Sequence, residues 1–170
     1  MQHPVTNEYD RSRNQIEETL EAIRNIDITT FWFWPNVDAG SDGTSKGIRS
    51  FREENELSHV HFFKNMKPND FLILLNNSKM LIGNSSVGIR ECAFLGVPVV
   101  NIGSRQYRRE RGKNVIDVDY NNDDIKNAIH HFLKTKRPEQ STVYGGGDAG
   151  EKIANILSEI DLISHKTITY

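Results

Sequence analysis

Short apolar segments alternate with amphipathic stretches along most of this chain, and this alternation limits the possible folds more than any other feature. The apolar segments are rich in β-branched and aromatic residues, which is typical of strands. They are residues 29–34, 60–63, 79–82, 97–102 and 114–118. Apolar residues at helical spacing predict helices between them, at residues 10–25, 45–56, 68–75, 86–95, 123–135 and 149–162.

Several of the predicted strands are too uniformly apolar to have a solvated face. Such strands belong in a parallel sheet with helices on both faces. Because the crossover connections of parallel strands are right-handed, the fold class predicted is α/β, a doubly wound parallel sheet of the Rossmann-like kind. Residues 1–162 form this single domain and residues 163–170 a tail, which suits a chain of 170 residues.

Three polar loops directly follow predicted strands, and a fourth precedes the first helix, which is also a strand-end position in this fold. They lie around His3, around Asn36, at residues 83–86 and at residues 103–105. Ligands of doubly wound sheets bind at the carboxyl ends of the strands. We therefore expect these four loops to converge on one binding site.

The stretch 82–91 places a glycine-containing turn between a strand and a helix. Backbone N–H groups at such a helix start bind anions, and Ser85 or Ser86 could donate to a phosphate oxygen. Glu91 follows one to two turns later, where its carboxylate could accept from sugar hydroxyls. The alternative is that these serines only cap the helix, which is a common role for the residue type.

His3, Asn36 and Arg105 each allow two interpretations. His3 is either a phosphate contact or proton donor near neutral pH, or a terminal residue without a role. Asn36 either places an amide at a ligand or serves only in a turn. Arg105 lies in a basic loop that is solvated by default, but it directly follows a predicted strand, where an arginine suits a diphosphate.

Composition and motifs exclude several other functions. A net charge of −2 disfavours nucleic acid as a partner. The single cysteine, Cys92, fits a reducing cytoplasm, and no apolar run reaches the length of a membrane span. The histidines lack zinc-ligand spacing and no Gly-x-Gly-x-x-Gly follows a first strand, so neither a metal nor a dinucleotide cofactor is expected.

Six stretches resemble, in order, the C-terminal half of UDP-N-acetylglucosamine 2-epimerases. They are residues 3–6 (HPVT), 35–40 (PNVDAG), 82–91 (IGNSSVGIRE), 96–106 (GVPVVNIGSRQ), 112–115 (GKNV) and 144–148 (YGGGD). The hydrolysing branch of the sialic-acid pathway is the more similar one. The non-hydrolysing branch typically has His-Arg-Arg-Glu-Asn at the first stretch and Asp-Ser-Gly-Gly where this chain has residues 83–86.

The resemblance implies the second domain of a two-domain GT-B enzyme, with the N-terminal domain absent from this chain. It implies that this half holds UDP as the substrate or product nucleotide, with no other cofactor. By motif match, Ser85 and Ser86 hold the diphosphate and Glu91 the ribose. Asn36 and Arg105 line the pocket, Met66 in the 64–66 loop contacts the uracil, and His3 is catalytic, assisting the departure of UDP.

The implied reaction eliminates UDP from a UDP-sugar to give a 2-acetamidoglucal. Water then adds, yielding N-acetylmannosamine. The acid and base carboxylates come largely from the N-terminal half in this family, so the isolated chain is expected to be inactive. The full-length enzyme is expected to be a homo-oligomer.

Two other classes of protein remain open from the sequence. One is the C-terminal half of a GT-B glycosyltransferase, which binds a nucleotide sugar but transfers it to an acceptor other than water. The other is a non-enzymatic nucleotide-binding module of flavodoxin-like topology. Within the epimerase family, UDP-diacetamido sugars are alternative substrates.

Overall fold

A computed structural model describes residues 1–161 as alternating strands and helices. The strands are β1 (Thr30–Phe33), β2 (Val60–Phe63), β3 (Leu81–Gly83), β4 (Val99–Ile102) and β5 (Val115–Val118). The helices are α1 (Ser12–Arg24), α2 (Ser41–Glu54), α3 (Pro68–Asn77), α4 (Ser86–Ile89), α5 (Glu91–Leu95), α6 (Asn122–Lys134) and α7 (Ala149–Glu159). Two 3-10 turns, Thr6–Arg11 and Ser104–Gln106, complete the described secondary structure. The last residue of the helix predicted over 149–162 and the tail 163–170 lie outside the described residues.

Each predicted element is present, and the boundaries differ for local reasons. The helix predicted over 86–95 is interrupted at Arg90, whose φ of −99° and ψ of −73° lie off the helical values, so Glu91 begins a separate helix. Helix α2 begins at Ser41, earlier than predicted, because Gly40 adopts a φ of +93° and ends the preceding turn.

The strand pairs are all parallel, as predicted, but the hydrogen-bonded ladder is divided in two. β1 pairs with β2, and β3, β4 and β5 pair in that order. The described strands thus form the predicted parallel α/β arrangement, with the ladder interrupted between β1 and β3. There the chain start lies beside β3, where the Met1 amine donates to the Ile82 carbonyl oxygen at 2.7 Å.

Helices cover both faces of the β3–β5 ladder, which is the doubly wound arrangement. All four residues of β4 are buried. Val100 and Ile102 pack in a cluster with α1, α2 and α6, whereas Val99 packs with Leu75 of α3 and Cys92 of α5. Burial and the nearby Glu91 raise the pKa of the Cys92 thiol to about 12, so this cysteine is a packing residue.

No helix within residues 1–161 combines the length and the apolar character needed to cross a lipid bilayer.

Candidate functional site

The carboxyl ends of β1, β3 and β4 bring together five polar residues that are far apart in the sequence. They are His3, Asn36, Asp38, Asn84 and Arg105, and we call them the strand-end cluster. Hydrogen bonds and one ion pair join all five. The convergence of the four polar loops predicted from the sequence is confirmed at His3, Asn36, the 83–86 turn and Arg105.

A left-handed glycine shapes the turn after β3. Gly83 has a φ of +131°, and a Cβ at this position would lie 1.8 Å from the carbonyl oxygen of Met1. The next residues then open helix α4. Ser85 is its N-cap, with the side-chain oxygen accepting from the Val87 N–H at 3.4 Å, and Ser86 is its first residue. As an acceptor, the Ser85 hydroxyl keeps its own proton for another partner.

Asn84 is completely buried and holds the backbone of His3 from both sides. Its Oδ1 accepts from the His3 N–H at 2.7 Å, and its Nδ2 donates to the His3 carbonyl oxygen at 2.8 Å. The carbonyl oxygen of Asn84 accepts from Gln106 Nε2 at 2.8 Å and from Arg105 Nη1 at 3.4 Å. Asn84 thus links the N-terminal loop to the loop that follows β4.

The imidazole of His3 is held in one neutral tautomer. Its Nδ1 accepts from the Asn36 backbone N–H at 3.1 Å, which leaves the proton on Nε2. Burial lowers its pKa to about 4, with further lowering by Arg105 and the N-terminal amine and partial offset by Asp38 and the Asn36 side chain. At pH 7 His3 is therefore a neutral hydrogen-bond donor through its Nε2–H.

Arg105 provides the cationic group of the strand-end cluster. Its Nη2 lies 3.6 Å from the Asp38 carboxylate, which also accepts from the Asn36 side-chain amide. About a quarter of the Arg105 side chain is exposed, so its guanidinium can donate to a ligand as well as to protein. A neutral N–H donor and an arginine beside a helix start form a site suited to an anion.

The rest of the basic loop has other roles. Arg111 donates to Asp117 at 2.6 Å and to the Gln106 carbonyl oxygen at 2.8 Å, and Asn101 also donates to Asp117. Arg111 therefore stabilises the loop that carries Arg105. By contrast, Arg108 is exposed, at a φ of +63°.

Four residues predicted for the site lie outside the strand-end cluster. Ser85 caps α4 and Ser86 begins it, directly after Asn84. Glu91 begins α5, and its Oε2 is buried with no hydrogen-bond partner among the described residues. Met66 lies in the loop between β2 and α3, where its N–H bonds to the neighbouring Asn65 side chain. The structure thus brings His3, Asn36 and Arg105 together and does not join Met66 to them.

Sequence reasoning missed the linking roles of Asn84, Gln106 and Glu8. Glu8 accepts from the Ser104 hydroxyl and from Gln15, and so ties the N-terminal loop to the loop after β4. Asn84 lies inside the 82–91 stretch, but the sequence analysis assigned the function of this stretch to the neighbouring Ser85 and Ser86 hydroxyls. Its contact with His3 spans 81 positions and has no local signal.

Known proteins match this chain over nearly its whole length. The family model described as UDP-N-acetylglucosamine 2-epimerase matches residues 1–158. A UDP-N,N'-diacetylbacillosamine 2-epimerase (hydrolyzing) of Legionella pneumophila is 33% identical over 162 residues, covering 95% of this chain and 42% of that protein. A UDP-N-acetylglucosamine 2-epimerase of Neisseria meningitidis is 29% identical over 161 residues, covering 93% and 42%. The chain thus spans less than half the length of these relatives.

A solved structure shares the fold. It is a UDP-GlcNAc 2-epimerase of Methanocaldococcus jannaschii in complex with UDP-GlcNAc and UDP. The TM-score is 0.64 at 21% identity, and the match covers 90% of this chain and 42% of that one. The likeness confirms the prediction of a GT-B-type α/β fold.

Proposed function

We propose that this chain, which belongs to the UDP-N-acetylglucosamine 2-epimerase family, is the UDP-binding half of a hydrolysing 2-epimerase. The observation that carries the proposal is the strand-end cluster. It joins a neutral imidazole to an arginine through Asn84, which directly precedes the serine-capped helix start at the same edge of the sheet. Each of these groups donates hydrogen bonds, and a nucleoside diphosphate is rich in acceptors.

The diphosphate binds between the 83–86 turn and Arg105. Helix α4 has only four residues, so its dipole contributes little, and single N–H groups and the Ser85 and Ser86 hydroxyls hold the phosphate oxygens. Arg105 lies across from this turn, at 3.4 Å from the Asn84 carbonyl oxygen. It exchanges its weak ion pair with Asp38 for a stronger one with phosphate.

The nucleoside extends from the diphosphate toward Glu91 and the loop at Met66. The unpartnered Oε2 of Glu91 is an acceptor that suits a ribose hydroxyl. Asn36 lines the same pocket from the loop after β1, and Met66 closes on the uracil ring. A relative with the same fold is known in complex with UDP-GlcNAc and UDP, which supports a uridine nucleotide here.

His3 assists the departure of UDP from the sugar. Breaking the bond between C1 and the β-phosphate oxygen places negative charge on that oxygen. The Nε2–H of His3 and the Arg105 guanidinium stabilise this charge by hydrogen bonding. The bound diphosphate also raises the pKa of His3 from its low value, because an adjacent anion favours the protonated ring.

The reaction is elimination followed by hydration. Loss of UDP and of the C2 proton gives a 2-acetamidoglucal, and water adds to C1 with inversion at C2, so that N-acetylmannosamine and UDP are the products. The 33% identical relative is named as a hydrolysing enzyme, which supports this branch. That relative also makes a UDP-diacetamido sugar the second candidate substrate.

A second domain supplies the remaining catalytic groups. The described residues contribute His3 at the leaving group, and the C2 proton and the incoming water require carboxylate acid–base groups elsewhere. The match to less than half of each relative supports a two-domain enzyme. We place this enzyme in the cytoplasm, as a homo-oligomer, with no metal or further cofactor.

Calorimetric titration with UDP tests the binding role. Arg105→Ala should weaken UDP binding by about 10- to 100-fold, because a charge-assisted contact to phosphate is lost. Arg108→Ala is the matched control, since this arginine is exposed in the same loop, and it should bind like the unmodified chain. Equal affinities in the two variants would contradict the assignment of Arg105.

Product analysis tests whether catalysis requires a second domain in addition to this chain. The 170-residue chain should release no N-acetylmannosamine from UDP-N-acetylglucosamine. Release of N-acetylmannosamine at the rate of a complete hydrolysing epimerase would overturn the requirement for a second domain.

A further inference from the structure

Helices α4 and α5 are separated by a break at Arg90, which lies between the groups proposed to hold the diphosphate and the ribose. The Arg90 N–H donates to the Ser86 carbonyl oxygen at 3.0 Å, and the Arg90 carbonyl oxygen accepts from the Phe94 N–H at 3.3 Å. The hydrogen bonds of α4 therefore end at this residue, and those of α5 begin there. In an unbroken helix, positions 86 and 91 would lie about 140° apart around the axis. The break thus sets the directions in which Ser86 and Glu91 face.

Helix α4 is too short to hold its position by its own hydrogen bonds. It has four residues, and so short a helix depends on tertiary contacts for its stability. One contact is made at Gly88, where a Cβ would lie 2.8 Å from Cγ1 of Val99 and 3.2 Å from Cδ2 of Leu81. The last turn of α4 therefore lies directly against β3 and β4.

The side chain of Asn114 makes a second contact with the same turn. This residue directly precedes β5, and only 1% of its surface is exposed. Its Nδ2 donates to the Gly88 carbonyl oxygen at 3.4 Å and to the Val97 carbonyl oxygen at 2.9 Å. In an unbroken helix the Gly88 carbonyl oxygen would accept from the Cys92 N–H. Asn114 therefore supplies at the break the donor that Cys92 would supply in a continuous helix, and links it to the segment that follows α5.

An asparagine suits this position for reasons of geometry and chemistry. An amide nitrogen carries two N–H groups, and Asn114 directs both to carbonyl oxygens on either side of the break. Its own carbonyl oxygen accepts from the Val99 N–H at 2.7 Å, which fixes its backbone to β4. A Cβ at Gly112 would lie 2.5 Å from Asn114 Oδ1, so the glycine leaves room for the amide. The 112–115 stretch thus acts on α4 and α5 from the far side of β4.

We propose that Asn114 is a positioning residue for UDP. It holds the break between α4 and α5, and through the break it sets the placement of the Ser85 and Ser86 hydroxyls relative to the Glu91 carboxylate. It acts on the ligand only through these three residues. This role rests on the proposed function of the chain as the UDP-binding half of the enzyme.

Calorimetric titration of Asn114→Leu with UDP tests the proposal. Leucine has a shape similar to that of asparagine but no donors, so the Gly88 and Val97 carbonyl oxygens lose their partner. UDP binding should weaken by about tenfold, because the diphosphate and ribose contacts no longer form together. In the free chain, the ¹³Cα chemical shift of Arg90 should move toward helical values, since the Cys92 N–H can then bond to Gly88.

Two further variants separate positioning from stability. Ile125→Ala removes a fully buried side chain of α6 that packs in the other core cluster. It should destabilise the fold and leave both UDP affinity and the Arg90 shift unchanged. Asn114→Ser keeps one hydroxyl donor, so it should weaken UDP binding less than leucine does, and it replaces the leucine variant if that variant does not fold.

Unchanged UDP affinity in folded Asn114→Leu and Asn114→Ser would overturn the proposal. Weaker affinity without a change in the Arg90 shift would overturn it as well, since the effect would not pass through the break. Arg105→Ala distinguishes this failure from a failure of the nucleotide site. If Arg105→Ala weakens UDP binding and the Asn114 variants do not, the positioning role alone is wrong.

Discussion

Among the glycine-containing turns that precede helices in the described part of the chain, two have opposite environments. The turn at residues 83–86 lies inside the fold, where Gly83 touches the Met1 backbone and Asn84 is fully buried. The turn at residues 145–148 precedes α7, and a Cβ at Gly145 or Gly147 would meet nothing within 4 Å. Sequence similarity between two such turns therefore says little about their roles until their tertiary contacts are known.

The helices that follow the two turns differ in the same way. α4 has four residues, two of which, Gly88 and Ile89, are buried. α7 has eleven residues and none is buried, although its apolar residues lie at helical spacing. Its stripe, which continues into the residue after the helix, is half exposed: Ile153, Ile156, Leu157 and Ile160. Buried contacts and not helix length thus distinguish the turn proposed to bind diphosphate.

The largest expected difference between the two turn regions is in the free energy of unfolding when a glycine in each is replaced by alanine. Gly83→Ala should lower the free energy of unfolding by about 4 kcal/mol, because the new Cβ overlaps the Met1 carbonyl and φ is +131°. Gly150→Ala in α7 should raise it by up to about 1 kcal/mol through helix propensity. Chemical denaturation measures both, and equal effects would remove the distinction between the turns.

An amide-to-carboxylate change at Asn84 should have the next largest effect. Asn84→Asp removes the donor to the His3 carbonyl oxygen and buries a charge, so stability should fall by about 3 kcal/mol. The matched control is Asn155→Asp, at an exposed position of α7, with an expected change within about 0.5 kcal/mol. Denaturation midpoints measure the stability of both variants. A stability loss as small at Asn84 as at Asn155 would argue that the hydrogen bonds of Asn84 to the His3 backbone do not stabilise the fold.

The pH dependence of stability gives a smaller effect from the same region. The pKa of His3 falls from 6.5 to about 4 on folding, so the unfolded chain binds more protons between these values. The stabilisation that neutral His3 contributes is fully present above pH 6.5 and is lost as the pH falls toward 4. Its size is about 2 kcal/mol after allowance for the partial exposure of the side chain. The Met1 amine acts in the same direction between pH 8 and about 5.

Denaturation as a function of pH separates these contributions. His3→Gln should reduce the slope of the profile between pH 6.5 and 4, because glutamine does not titrate there and the Met1 amine contributes only above about pH 5. Asn127→Gln, at an exposed position of α6, should keep the profile of the unmodified chain. An unchanged slope in His3→Gln would show that His3 does not titrate in the way its burial implies.

The sequence was sufficient to predict the order of the elements and the edge of the sheet at which the polar loops meet. Strand β2 occurs at the predicted residues, because its apolar run is bounded by clear turn signals. The interruption of the hydrogen-bonded ladder between β1 and β3 was not predictable from the sequence. Strand pairing is a tertiary contact, and no local pattern within a strand specifies which strand lies beside it.

Residue type alone indicated only some members of the candidate site. The side chains of Ser85, Arg105 and His3 suggest anion binding by their chemistry, and the structure places them near one another around Asn84. The neutral state of His3 depends on burial and on the backbone N–H of Asn36, 33 positions away. Such long-range contacts set pKa values, so sequence alone assigned His3 its ordinary titration.

A nuclear magnetic resonance titration of the ¹⁵N-labelled chain with UDP tests the central claim, the assignment of the strand-end cluster as a diphosphate site. The amide resonances of residues 84–87 and Ser104–Gln106 should shift with UDP, whereas residues 145–148 should not. Uridine, which lacks the diphosphate, should leave residues 84–87 unshifted. No shift at residues 84–87, or shifts of equal size at residues 145–148, would contradict the account.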